Sequence, residues 1–388
     1  MERLKEIVAC FDIDSDVVDV FPLGGGLIND TYKVATVSGA GYVLQRINDS
    51  IFRDVDLLQR NIEAVTRHIR AKLEAAHTPD IGRKVLEFIS LKEGAKTYWT
   101  DGTEYWRMSV FIEDSVTIDT VSPEYSYFAG KAFGEFQSML SDLSEEIGET
   151  IPDFHNMELR ARQLHEAVEA DPAGRCSLEE SRQILAEMDL HMEEMCKAER
   201  MYRDGLLPKR ICHCDTKVSN MLFDKEGNVL CVIDLDTVMP SFIFSDVGDF
   251  LRTAANTVAE DCPEIEKVAF DMDIFKAFIG GYLESATFLT DVEKENIPYA
   301  AALFPFMQAV RFFADYLNGD VYYKTAYPDH NLVRTRNQMA LFRSILSHLD
   351  EMRDIIIYYR FCVFSSSCKQ ILYIFVSFID CTQILQYK

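Results

Sequence analysis

Ile211-Cys212-His213-Cys214-Asp215-Thr216-Lys217-Val218-Ser219-Asn220, with Val232-Ile233-Asp234-Leu235-Asp236 a short way downstream, decides the reading of this 388-residue chain. Residues 211–213, 221–224 and 229–234 read as short strands, and Lys225-Glu226-Gly227-Asn228 supplies the turn between the last two. Phosphoryl transfer asks little covalent chemistry of a protein. It needs a carboxylate to orient and deprotonate the attacking hydroxyl, and oxygen ligands to hold Mg²⁺ on the phosphates. Asp215 is the candidate base, while Asn220 and Asp234, the latter across the hairpin, are candidate metal ligands. Asp236 is either a further metal contact or a residue that holds the metal loop. Lys217 would neutralise the transferred phosphate or hydrogen-bond the acceptor.

Outward from this segment the chain changes character twice. Before about Asp114, short β-rich runs at 32–36, 42–47, 84–89 and 106–112 alternate with turn signals. Leu58, Ile62, Val65 and Ile69 recur at helical spacing and predict a helix over Val55–Ala75. After Glu113-Asp114 the pattern becomes long amphipathic helices, the first carrying Phe128, Ala132, Phe136 and Met139 on one face. The expected architecture is therefore α+β and bilobal, with a small β-rich lobe over 1–113 and a larger, mainly helical lobe over 114–354. The tail, 355–388, lacks Gly and Pro, carries Cys362, Cys368 and Cys381, and is crowded with Ile, Phe and Tyr. Its longest clean apolar run, 371–379, falls far short of the ~20 residues of a spanning helix, so it reads as an appendage or an altered reading frame.

Composition narrows the function classes. A formal charge of −24 makes the surface as a whole repel phosphate backbones and anionic headgroups, which argues against nucleic-acid or membrane partners. Any phosphate site must be local. The first residues have no sustained apolar core and do not resemble a secretory signal, so a cytoplasmic location is expected, with the ten scattered cysteines reduced. Cys212 and Cys214 lie too close together, and too far from a third cysteine, for zinc. Asp12-x-Asp14-x-Asp16 lacks the glycine and terminal glutamate of a calcium loop. Oligomeric state is not legible.

H-x-D-x-x-x-x-N with a downstream I-D-x-D resembles the kinase catalytic set in order and spacing. More narrowly, the segment resembles the catalytic loop of the aminoglycoside phosphotransferase and choline kinase superfamily, above all bacterial N-acetylhexosamine 1-kinases. The narrower likeness rests on Gly24-Gly25-Gly26-Leu27-Ile28-Asn29-Asp30-Thr31-Tyr32, Tyr42-Val43-Leu44-Gln45-Arg46-Ile47-Asn48, Ser245-Asp246-Val247-Gly248-Asp249 and the block from Arg311 to Tyr323, in the family's order. It implies a protein-kinase-like fold, ATP and Mg²⁺ as cofactors, and phosphorylation of the 1-hydroxyl of an N-acetylhexosamine. Other acceptors for the same fold are choline, an aminoglycoside, homoserine or another sugar; a catalytically silent nucleotide- or sugar-binding protein is the alternative from a different class.

The resemblance also distributes roles. Gly25 and Gly26 would let backbone amides approach the nucleotide phosphates, with Asn29 beside them. The strand lysine of protein kinases is missing from Val43-Leu44-Gln45-Arg46. Arg46 would supply its charge, with Glu63 as ion-pair partner, although Gln45 occupies the alternative register. Phe111 and Glu113 fall where an inter-lobe hinge would bind adenine, and Arg311 and Tyr322 where the acceptor would be recognised. His213 and Asp246 are expected to brace the loop. Cys214 and Ser241 stand where the family usually has glycine, so a positive φ at Cys214 would strain the loop.

Overall fold

The structure, a computed structural model, describes residues 2–24, 28–118 and 121–362. Helix α1 (Glu2–Val8) precedes strands β1 (Val17–Pro22), β2 (Asp30–Thr36) and β3 (Gly41–Ile47), helix α2 (Val55–Ala75), and strands β4 (Tyr98–Thr100) and β5 (Tyr105–Val110). The strands form one antiparallel sheet in the order β1-β2-β3-β5-β4. Successive strand side chains face opposite ways. Val20, Val34, Leu44, Trp106 and Met108 therefore share the outer face, packed against Ile7 and Val8 of α1. Gln45 and Arg107, opposite each other in the register, turn to the inner face.

Helix α2 occupies the predicted span. Asp54 caps it by accepting the Leu57 N–H at 2.8 Å, and Leu58, Ile62, Val65 and Ile69 are all buried. Each such side chain contributes about 1.5–3 kcal/mol on full burial. The run 84–89, expected as a strand, is not one. It lies along β5 through Val110 N–H to the Glu87 carbonyl and Ile89 N–H to the Met108 carbonyl, both 2.8 Å, and then leaves, because the Ser90 carbonyl accepts the Asp12 N–H. Strands β1 and β4 were not foreseen; β1 is mostly exposed and β4 is only three residues long.

The remainder is mainly helical. Helices α3 (Pro123–Leu140), α4 (Met157–Ala170), α5 (Glu179–Met195) and α6 (Lys197–Arg203) come first. Short strands β6 (Arg210–Cys212), β7 (Met221–Phe223), β8 (Val229–Val232) and β9 (Met239–Ser241) interrupt them. Then follow α7 (Phe244–Ala254), α8 (Met272–Ser285), α9 (Asp291–Glu295), α10 (Ile297–Leu317), α11 (His330–Ser347) and α12 (Leu349–Cys362). Strands β7 and β8 make the expected hairpin, whereas 211–213 pairs with β9 instead. Helix α10 is long and apolar enough to cross a membrane by composition, but 89% of its apolar window is buried among the other helices, as in a core helix. Helix α12 runs across the expected boundary at 354/355, and the rest of the tail lies outside the described residues.

Helices α3 and α8 cross at backbone contact. A Cβ on Gly130 would lie 2.0 Å from the Phe278 carbonyl oxygen, and one on Gly281 would lie 2.1 Å from that of Tyr127. This approach lets the Tyr282 hydroxyl donate to Gln137 Oε1 at 2.5 Å, which turns the Gln137 amide toward Asp246 beneath the catalytic loop.

Candidate active site

The loop between β6 and β7 is fixed from below. Asp246, fully buried on α7, accepts the His213 N–H at 3.0 Å, the Cys214 N–H at 2.7 Å and the Gln137 amide at 2.6 Å, while its carbonyl accepts the Thr216 hydroxyl. Burial pushes its carboxyl above the ordinary range. Strand β6 is anchored by a bidentate pair from Arg210 to the buried Glu293, both contacts 2.9 Å; Glu293 also closes the capping box of α9. Nε2 of the buried His213 donates to the Ile233 carbonyl at 2.8 Å, which places a hydrogen on that nitrogen, and Phe133 and Phe136 pack edge-on to its ring. His213 thus orients the loop, as expected. Cys214 has φ +64°, the left-handed region that favours glycine, so the anticipated strain is present.

Asp215 stands at the mouth of this loop. Its Oδ2 accepts Lys217 Nζ at 3.0 Å and Asn220 Nδ2 at 3.1 Å, which leaves Oδ1 without a protein donor among the described residues. Burial pulls the Lys217 ammonium down, but the fields of Asp215, Asp234 and Asp249 outweigh it and hold it above the ordinary lysine value. Asp234, left-handed at φ +62°, is exposed, and its carboxylate has no protein donor among the described residues. Protein packed around it and repulsion from Asp236 and Asp215 push its carboxyl up to about 6. Asp249, which the sequence reading quoted without a role, accepts the Thr216 N–H at 3.1 Å and pairs with Arg252 at 3.3 Å.

Asp236 braces the site. Its Oδ2 accepts Asn29 Nδ2 at 2.6 Å and its Oδ1 lies 2.5 Å from Arg107 Nη1, so both oxygens are committed. Arg107 also donates from Nε and Nη2 to Gln45 Oε1 at 3.1 and 2.9 Å. A buried chain, Gln45–Arg107–Asp236–Asn29, therefore joins the sheet to the catalytic region. The expected Arg46–Glu63 pair does not form. Arg46 lies on the outer face and pairs with Asp30 at 3.3 Å and Glu104 at 3.7 Å, while Glu63 accepts the Thr97 hydroxyl. The register puts Gln45 inside, and Arg107, missed in the sequence, is the cation that faces the site. Its signal was a lone arginine in the buried run Trp106-Arg107-Met108.

Gly25 and Gly26 lie outside the described residues. Phe111 and Glu113 sit in the connection from β5 to α3, where Lys33 covers the Phe111 ring at 3.5 Å and pairs with Glu113 at 3.6 Å. The Phe111 N–H goes to the Gly41 carbonyl. On the other side, Arg311 lies over the Phe154 and Tyr323 rings at 5.9 and 5.7 Å. Tyr322 is 74% exposed, so Tyr323, not Tyr322, is the tyrosine packed on Arg311.

Residues Asn220 and Asp234 fit a divalent cation carried in by a nucleotide. Among the described residues the Asp234 carboxylate has no competing donor, it already suffers like-charge repulsion, and no cage of three His, Cys, Asp or Glu exists. Magnesium is typically bound in this way, by one or two protein oxygens plus phosphates.

A β-rich sheet followed by a larger helical region, with a carboxylate and an ammonium on the β6–β7 loop, defines a kinase that phosphorylates the hydroxyl of a small molecule. A sequence model of the phosphotransferase enzyme family matches residues 19–276, well over half of the chain, and the chain belongs to that family. Solved structures with the same fold include an aminoglycoside phosphotransferase from Alicyclobacillus acidocaldarius, with TM-score 0.61 and 14% identity over 91% of this chain and 96% of that one. The amicoumacin kinase hAmiN in complex with AMP-PNP, Ca²⁺ and Ami is similar at TM-score 0.53 and 13% identity, over 90% and 93% of the two chains. A microcompartment-associated aminopropanol kinase matches at TM-score 0.53 and 11% identity, over 91% and 98%.

Proposed function

We propose that this phosphotransferase uses ATP and Mg²⁺ to phosphorylate the anomeric 1-hydroxyl of an N-acetylhexosamine, in the cytoplasm, giving the sugar 1-phosphate. The observation that carries the reaction is the free Oδ1 of Asp215 on a carboxylate whose other oxygen is held by Lys217 and Asn220. That arrangement aims one acceptor oxygen at an incoming hydroxyl and sets an ammonium beside it, which is what in-line phosphoryl transfer requires. The metal, held by Asn220 and Asp234, would neutralise charge on the phosphates. Glycines 24–26 and the Phe111–Glu113 connection would hold the nucleotide. The sugar assignment is supported by the sequence blocks shared with N-acetylhexosamine 1-kinases and by Arg311 on the acceptor side.

The test is ADP release from ATP and Mg²⁺ over a panel of N-acetylhexosamines, other sugars, choline, homoserine and aminoglycosides, with Asp215→Asn as control. Selective, Asp215-dependent turnover on an N-acetylhexosamine establishes the reaction. Turnover on another acceptor keeps the kinase and discards the sugar, and silence from folded protein favours a binding protein.

A further inference from the structure

One face of the acceptor side gathers two guanidiniums, and the field of the Asp153 carboxylate offsets that of Arg160 only in part. Arg160, on α4, and Arg311, on α10, both meet Phe154: Arg160 Nη2 donates to its carbonyl at 2.6 Å, and the Arg311 guanidinium lies over its ring. Neither forms an ion pair with a carboxylate among the described residues, whereas Arg107, Arg210 and Arg252 each do. A guanidinium carries five N–H donors. Arg311 directs one nitrogen, Nη1, to Gln308 Oε1 at 3.1 Å; Arg160 directs Nη1 to Gln163 Oε1 at 2.9 Å, and its buried Nε has no acceptor among the described residues. Burial and the charge of Arg311 pull the Arg160 guanidinium down to about 10. An anion between them would relieve that repulsion.

This face is continuous with the catalytic loop. Phe154 packs on the small cluster of Cys212, Cys214 and Met239 at the base of that loop, and His155 Nδ1 meets the Ser245 hydroxyl at 3.0 Å on the helix that carries Asp246 and Asp249. In a chain of net charge −24, an anionic acceptor is repelled by most of the surface and needs local cations to bind. The same two cations oppose a cationic acceptor such as choline or an aminoglycoside.

We propose that Arg160 and Arg311 form a subsite for an anionic group, a carboxylate, sulfate or phosphate, carried by the acceptor at a position remote from the hydroxyl that Asp215 activates. The inference rests on the small-molecule kinase reading for which side of the cleft receives the acceptor; with a hexosamine acceptor, it selects an acidic derivative over the neutral sugar. Guanidinium pairs bind such groups through short, charge-assisted and often bidentate hydrogen bonds.

Two measurements on the full chain test it. Thermal-shift titration with sodium sulfate and with inorganic phosphate, against chloride at matched ionic strength and without nucleotide, should show stabilisation of the wild type. In Arg160→Gln and Arg311→Gln the half-saturating anion concentration should rise about tenfold or more. Arg160→Lys and Arg311→Lys keep the charge and should lose less, which separates charge from folding damage. In turnover, kcat/KM for N-acetylglucosamine 6-sulfate should exceed that for N-acetylglucosamine in the wild type, and the preference should collapse in the Gln variants. Anion titrations unmoved by either Gln substitution overturn the site. Variant-sensitive binding of free phosphate with no preference among acceptors overturns the acceptor assignment and leaves a free-anion site. Variant-sensitive anion binding in a protein that turns over no hexosamine upholds the site and rejects the hexosamine reading instead.

Discussion

Replacing Arg107 by Met removes the cation from a pair whose two side chains are each no more than 3% exposed. Asp236 would keep Asn29 as its one donor, and Gln45 would lose both of its bonds from Arg107. Leaving one member of a buried ion pair uncompensated costs about 3–5 kcal/mol, whereas replacing both members by apolar residues of similar volume is often close to neutral. Arg107→Met should therefore lose about that much stability, Asp236→Asn a comparable amount, and Arg107→Met with Asp236→Leu much less than the sum. Urea denaturation followed by tryptophan fluorescence suits the question, because Trp99 and Trp106, the chain's two tryptophans, face each other across β4 and β5. Turnover should stay low in the double variant, since the link from Asn29 and Arg107 of the sheet to Asp236, two residues from Asp234, is lost. An Arg107→Met variant within about 1 kcal/mol of the wild type, or a double variant as unstable as the two singles added together, would refute this account of the pair.

Asp215→Asn should lower kcat by about 10²–10⁴-fold and leave nucleotide binding by thermal shift unchanged, because the base acts in the transition state. Cys214→Gly should be more stable than Cys214→Ala by about 1 kcal/mol in chemical denaturation, since both lose the thiol and only Ala retains the cost of φ +64°. Burial, with a smaller push from Asp215, raises the Asp249 carboxyl from 3.8 to about 6 despite Arg252. The folded state therefore binds this proton more tightly than the unfolded chain, and the group's contribution falls as pH rises from about 4 to 6. Asp249→Asn should remove that slope, read as the wild-type-minus-variant difference in denaturation midpoints across the range; a difference that does not change with pH would refute it.

Legibility in the sequence followed locality. Within ten residues of Asp215 the chemistry is set by covalent spacing, so the loop could be anticipated, and the turn residues Lys225–Asn228 just beyond it marked the hairpin. Helix α2 was equally legible because its apolar stripe has the helical period and Asp54 caps it. Strand register was not. A slip of one residue exchanges the two faces of β3, and the choice between Arg46 and Gln45 is set by pairing with β2 and β5, which the local sequence does not encode. Arg107 and Arg160 were missed for a related reason, since each acquires its meaning from a residue far along the chain, Asp236 for one and Arg311 for the other. The contacts of Asp236 with Asn29 and Arg107 were equally out of reach, since both partners lie more than 100 positions away.

The bond from Asn29 to Asp236 spans 207 positions. A ribosome adding about 5–20 residues per second needs on the order of ten seconds or more to cover that distance. For the last 129 of those positions, from Arg107 to Asp236, the nascent sheet holds Arg107 with Gln45 and without the carboxylate it pairs with in the finished fold. A ribosome stalled before Asp236 would therefore hold a sheet whose guanidinium lacks the carboxylate that neutralises it in the finished fold.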